Sequence, residues 1–520
     1  MGLFVYFCKK YFQLKNLIFL LFLVINFHFV SSQQKKIKII NAEQTYKNEK
    51  KHPGAVILNG NVRVRHNGAT LDCNKALFYQ EKNMLHAYGN VYVNQGDTIT
   101  QSSNYANYNG TTQKIISWGN VVLKDPSMQL KTDTLHFDRA SQEMTYDCYA
   151  NILDENNQLE SKNGVYSTTK KKFTATTNVI VHNPDNKLES SHLDYYTETG
   201  QAYFYGPSTI TTEQSIAIAN KGFYDTKAGI SRLTKDAKIY YGTRVIEGDS
   251  IYSDKNRGFA SSTGNIVMTD SINQTIIKGG YAEFFKNQDS VFVIKKALAI
   301  STADADSLFI HGDTLLITGR PDERIIRAFH RVKFFKTDLR GKCDSLYTNQ
   351  KTGITKLFKK PVIWSGENQI TGDSIHLSSD LNTNKLDSLF IKRNAFIIQK
   401  DSIGFSQIKG KNMFGKFVDN QLSSLLTKGN GEVINYARDE ENKLILIFNM
   451  ICSNILFNLS ENSIQTIKFL QKPEGKSYPP SKYPDDLKFL KGFIWRENEK
   501  PLVKEDIFKD EPVITTNLFK

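Results

Sequence analysis

The chain has 520 residues, with 40% hydrophobic and 12% aromatic content and 12 prolines, a composition too apolar and ring-rich for a disordered protein. It is too long for one ordinary core unless it is an array that grows by adding units. The net charge of +14 admits an anionic partner or plain solubility, and three of the lysines behind it, Lys9, Lys10 and Lys15, precede an apolar run.

Residues 1–32 read as an export leader. The three lysines form its basic part and Leu17 to Val30 its apolar part. Val30-Ser31-Ser32 supplies small residues for cleavage before Gln33. An uncleaved anchor is the alternative, although the apolar run is shorter than the roughly 20 residues a spanning helix needs. Export places the protein in the periplasm, with an association to the outer membrane as a further expectation, and disfavours nucleic acid as a partner.

Behind the leader a repeat begins. Gly60-Asn61-Val62, Gly89-Asn90-Val91 and Gly119-Asn120-Val121 are spaced by 29 and 30 residues, and Gly264-Asn265-Ile266 repeats the form later. Weaker copies include Thr177-Asn178-Val179, Lys360-Pro361-Val362 and Asn394-Ala395-Phe396, with the rhythm loose between Ala297 and Val332. A period near 30 means units that share a core with their neighbours. Each unit reads as two strands, the first starting at Gly-Asn, with apolar residues alternating with polar ones. Val62, Val64, Val91, Val93, Val121, Leu123, Leu135, Phe137, Val179 and Val181 fall on the inward side of that alternation. Helical periodicity is nearly absent from Ile37 to Ile434, so the fold class is all-β: an elongated repeat, either an open jelly roll of two facing sheets or a parallel β-helix. Spacing favours the first without deciding it.

The expected divisions are a first array over 33–240, a second over 241–440, an apolar β or helical segment over 441–472, and a Pro-rich tail over 473–520. Six of the twelve prolines lie in that tail, which should be irregular or wrap an edge, with a short helix at Asp485–Gly492. Leu444 to Leu459 is the most apolar late segment, but its asparagines favour a buried strand or helix over a membrane span.

Chemical motifs are sparse. Gly248-Asp249-Ser250 and Gly372-Asp373-Ser374 resemble a hydrolase nucleophile motif, yet they recur with the repeat and read as turns into strands. No HExxH, calcium loop, phosphate loop or GxGxxG is present, so no catalytic residue, metal ligand or cofactor is assigned. Cys73, Cys148, Cys343 and Cys452 allow three disulfide pairings or four buried thiols.

The joint recurrence of an apolar residue, Ser or Gly-Asp, an aromatic two or three residues on, a polar turn, and Gly-Asn-Val with alternating valines resembles the OstA or LptA-like lipopolysaccharide-transport family. It stands as Leu71-Asp72-Cys73 through Phe78-Tyr79 to Gly89-Asn90-Val91, and again as Ile246 through Tyr252 to Gly264-Asn265-Ile266. The resemblance spans about residues 37–434. It implies a non-enzymatic periplasmic β-jelly-roll bridge or chaperone that holds the acyl chains of lipopolysaccharide between its sheets. The ten inward residues named above would then line the groove. It also implies edge-strand pairing with transport components at the inner and outer membranes, and head-to-tail self-association. The competing readings are a structural or adhesive cell-surface β-solenoid and a β-helix polysaccharide-degrading enzyme.

Overall fold

A computed structural model describes residues 36–509 except 97, 303–305, 321–322, 384, 420, 440 and 461–462. The expected leader and the end of the Pro-rich tail lie outside the described residues. The fold is all-β, with 34 strands and a few short 3-10 turns among the described residues. Its strand pairs are antiparallel, which removes the parallel β-helix alternative. Among the described residues no helix is long and apolar enough to cross a membrane. The chain divides into two compact units, Met1–Val181 with Asp194–Glu198, and His182–Leu193 with Thr199–Lys520.

The repeat is a hairpin of two strands of 11 or 12 residues, such as Val56–His66 with Ala69–Tyr79 and Met84–Gln95 with Ile99–Asn109. Gly-Asn does not start a strand, as the sequence suggested; it stands in the strand's middle. Gly89 and Asn90 have φ of +74° and +49°, and Gly264 and Asn265 have +72° and +44°. Two successive left-handed residues leave the pleat and bend the strand. The pairing skips there: Asn59 faces Lys75 and Val62 faces Cys73, so Gly60 and Asn61 together oppose Asn74. Asn tolerates this region better than other side chains. Glycine is required for space as well, because a Cβ on Gly264 would land on the Asp249 carboxylate.

Each strand is thus folded at a corner into two arms, and alternation puts one side of both arms in the core. In Met84–Gln95, Leu85 and Ala87 before the corner and Val91 and Val93 after it are buried. Tyr92 is 42% exposed, against 1% for Val91. The Gly-Asp-Ser motif occupies the same corner on the strand before. Asp249 accepts from Asn265 Nδ2 at 3.1 Å, Asp313 from Arg331 Nε at 3.0 Å, and Asp373 from Asn394 Nδ2 at 2.9 Å. The motif is therefore an interstrand corner clasp: Gly248-Asp249-Ser250 lies inside a strand and not at a turn into one, whereas Gly372-Asp373 is a bend leading into the strand that starts at Ser374, as the sequence suggested.

In the second unit the ladder runs past residue 440 without a change of type. Gln421–Arg438 pairs with Leu444–Ser460, which pairs with Ser463–Leu470 and Glu474–Tyr478. The Pro-rich segment then packs as an extended strap on the outer face of one arm. Asp485–Leu487 is a single 3-10 turn where a short helix was expected. Leu490 packs with Phe396, Ile398 and Ile434, and Ile507 with Leu298 and Ile300. Buried Gln407 accepts from the Leu490 amide at 2.9 Å and donates to the Lys488 carbonyl at 2.8 Å. Gln369 does the same with Arg496 N at 2.7 Å and Ile494 O at 2.8 Å. Each glutamine thus reads the strap as a neighbouring strand would.

Cys73, Cys148, Cys343 and Cys452 are free thiols, so of the two sequence alternatives the structure takes the unpaired one. Burial pushes the Cys73 thiol up to about 11 and the Cys343 thiol up to about 12, which leaves both protonated and inert.

Candidate functional site

The ten inward residues named from sequence all lie in the first unit, and each is at most 7% exposed. The ladder brings them into cross-strand rows: Leu71 faces Val93, Val93 faces Gln101, Gln101 faces Leu123, and Leu123 faces Leu130. Sequence reading missed the polar members of these rows, because Gln and Ser at inward positions carry no apolar signal. Gln101 donates to Ser117 on the opposite arm, and the Tyr146 and Ser161 hydroxyls meet at 2.6 Å, so the arms touch there.

In the first unit the open edge, opposite the corners, is stitched shut. Arg139, just past the end of Met128–Asp138, reaches the far ends of earlier strands: Gln95 at 2.8 Å, the Asn67 carbonyl at 3.0 Å and the Tyr108 hydroxyl at 3.0 Å. His66 Nδ1 shares that hydroxyl at 2.6 Å. Asp125 accepts from Lys171 Nζ at 2.8 Å and from the Tyr166 hydroxyl. Burial would raise the Asp125 carboxyl, but hydrogen bonds from Lys171, Tyr166 and Ser127 outweigh it and hold it below its ordinary value. Such contacts between the two ends of strands 11–12 residues long exist only because each strand is folded at its corner.

The second unit has a buried stitch of the same kind. Asp270 pairs with Arg324 at 2.9 Å and Arg244 at 3.3 Å, and Arg244 with Asp289 at 3.0 Å. Desolvation acts to raise the Asp270 carboxyl; bonds from Asn273 and the charges of Arg324 and Arg244 bring it below normal. C-terminal to this stitch the arms part around a cavity of about 310 Å³. Both arms line it: Leu389 precedes and Ile397 follows the corner at Arg393-Asn394, while Ile408 and Phe417 come from the next strand. Lys336, Asp338, Asn368 and Gln399 stand among the polar residues of its wall. The volume lies at the small end of ligand sites, and the wall combines an apolar lining with a few polar groups, as such sites do. None of the ten sequence-named residues lines this cavity.

The repeat rhythm is loose between Ala297 and Val332 because the corners there are built from other residue types. Lys295-Lys296, His330-Arg331 and Lys359-Lys360 all have φ between +51° and +62°. Among the described residues no cluster of three or more His, Cys, Asp or Glu is placed to hold a metal.

Fold and slot together define an antiparallel, corner-folded β-repeat protein with an apolar interior. Residues 34–191 match the family model described as OstA-like protein, so the resemblance carried by the repeats holds over that segment. Among solved structures the chain is similar to LptH from Pseudomonas aeruginosa, described as the LptA homologous periplasmic component of the conserved lipopolysaccharide transport device. That match has 16% identity and a TM-score of 0.21, covering 27% of this chain and 95% of the other. No curated protein matches.

Proposed function

We propose that this chain is a periplasmic lipopolysaccharide-binding transport protein, a bridge or chaperone that holds acyl chains between the arms of its folded strands and performs no reaction. The observation that carries the reading is the slot in the second unit, lined by leucine and isoleucine from both arms behind a leading OstA-like segment. Each methylene buried there contributes about 0.8 kcal/mol, so even one acyl chain gains substantially on leaving water. In this reading Val62, Val64, Val91, Val93, Val121, Leu123, Leu135, Phe137, Val179 and Val181 form the corresponding inner face of the first unit. That face admits a chain only when its stitches part. Terminal strands pair with transport components or with further copies by edge addition.

Photo-crosslinking in cells tests this. A probe at inward Ile408 should yield a lipopolysaccharide adduct, and one at outward Lys409 should not. The same comparison at Val91 and Tyr92 tells whether the first unit is entered as well. No adduct at either inward site, with folded protein recovered, would overturn the reading.

A further inference from the structure

The arm that carries the strap on its outside gives the slot a graded wall on its inside. Four successive strands each put two residues into the cavity. Nearer the corner stand Ile363, Ile370, Ile397 and Ile408, direct partners across the ladder. One alternation step toward the open edge stand Ser365, Asn368, Gln399 and Ser406, likewise direct partners. Asn435 carries this second row onto the next strand, where the Tyr436 amide donates to the Ser406 hydroxyl at 3.2 Å. Gln369, Ile398, Gln407 and Ile434 alternate with these residues and face the strap. The side-chain amides of Asn368, Gln399 and Asn435 are half-buried and have no hydrogen-bond partner among the described residues.

The second row is polar without charge. The first unit closes its open edge with Arg139, Asp125 and Lys171, whereas the slot edges it with amides and hydroxyls. The charged residues that line the cavity are Asp306, Lys336 and Asp338, one cation against two carboxylates. Asp306 is held by the Thr337 amide at 2.9 Å and the Thr337 hydroxyl at 3.1 Å. Just outside the row, Lys400 pairs with Glu497 at 3.1 Å and Arg438 with Asp401 at 2.6 Å. The wall thus gives a phosphate no excess of positive charge.

An aliphatic row beside an uncharged donor and acceptor row matches the place where an acyl chain joins its head group. There the chain ends in an ester or amide carbonyl, often with a hydroxyl beside it. Asn and Gln donate to the carbonyl, and Ser, Asn and Gln exchange bonds with the hydroxyl. Such groups leave water without loss only when they are paired in this way. Length selects among lipids. Five strands at about 4.8 Å per step make a row of roughly 19 Å, too long for the two adjacent esters of one glycerol. It suits several chains attached side by side along a saccharide.

Resting on the reading of the slot as an acyl-chain site, we propose that this row makes the slot selective for a sugar bearing several ester- or amide-linked acyl chains. The row binds the carbonyls and hydroxyls of the linkages and is indifferent to phosphates on the sugar.

The test uses the purified full chain with a photo-crosslinking probe at Ile408. One radiolabelled tracer is a bisphosphorylated, multiply acylated disaccharide; the other is palmitate, which has no linkage to read. The same disaccharide without phosphates should compete within about twofold of the phosphorylated form, and phosphatidylglycerol at least tenfold more weakly. The Gln399→Leu, Asn435→Leu pair should lower affinity for the acylated disaccharide at least fivefold and leave palmitate within about twofold. Gln399→Leu alone should lower it at least twofold, which keeps the test available if the pair does not fold. A tenfold preference for the phosphorylated sugar, phosphatidylglycerol competing as well as the sugar, or full sugar affinity in the folded variants would each overturn this proposal and leave the slot as an acyl-chain site. Labelling by neither tracer would overturn the slot reading, and this one with it.

Discussion

Val91 and Tyr92 are neighbours on one strand, one 1% and the other 42% exposed, which makes them a matched pair for asking what the inner face tolerates. Val91→Asp places a carboxylate where nothing is arranged to pair with it and should cost more than about 3 kcal/mol, whereas Tyr92→Asp should cost less than about 1 kcal/mol. Urea unfolding of both variants measures the difference, and equal costs would contradict the inward assignment. Asp270 gives the pH dependence. Its folded pKa is depressed below the ordinary 3.8, so its stabilisation is present above that value and disappears as pH falls through the lower folded one. The melting temperature of the chain should therefore drop as pH falls below about 4, and Asp270→Asn should flatten that limb while lowering stability near pH 7. The inward valines were legible because alternation in a β-branched run reports burial directly. The stitches were not, because a lone Arg139 or Asp125 at a strand end looks like any solvated charge until the corners bring distant ends together.

At the scale of the element, the corner decides what sequence reading can find. Where it is Gly-Asn, a short motif recurs and the repeat is visible; where it is Lys295-Lys296 or His330-Arg331, the same geometry has no signature. Each such non-glycine residue in the left-handed region costs about 1–2 kcal/mol, which neighbouring ladders offset. The groove residues named from sequence all lie upstream of the slot, among the earlier copies of the repeat, although the corner at Asn394 beside the slot was legible too. The strap was legible only as a Pro-rich tail, because its docking depends on Gln369 and Gln407, two side chains that act as backbone. Gln407→Ala removes both bonds to Lys488 and Leu490 and should weaken the strap locally by about 1–3 kcal/mol. Limited proteolysis reads this out: cleavage between residues 479 and 509 should accelerate while the ladder core persists. Unchanged cleavage would mean that the Gln407 bonds do not hold the strap.

For the whole molecule, the all-β class and the two-strand repeat followed from period and alternation, while the antiparallel sense did not, since a spacing of 29 residues suits either coiling or zigzag. Within each unit, ladder pairing is mostly between strands adjacent in the chain, so every added hairpin has its template already in place. The strap obeys a different rule. Lys333 Nζ bonds the Lys509 carbonyl across 176 residues, and Gln369 meets Ile494 across 125. During synthesis the ladder can lengthen behind the emerging chain, one hairpin at a time, from the N-terminus. The strap can dock only once residues 488–509 have been made, and it lies back over strands made much earlier. A chain cut before residue 488 would keep its repeats and leave Phe396, Ile398 and Ile434 without the cover that Leu490 gives them, an apolar patch on the outside of an otherwise paired ladder.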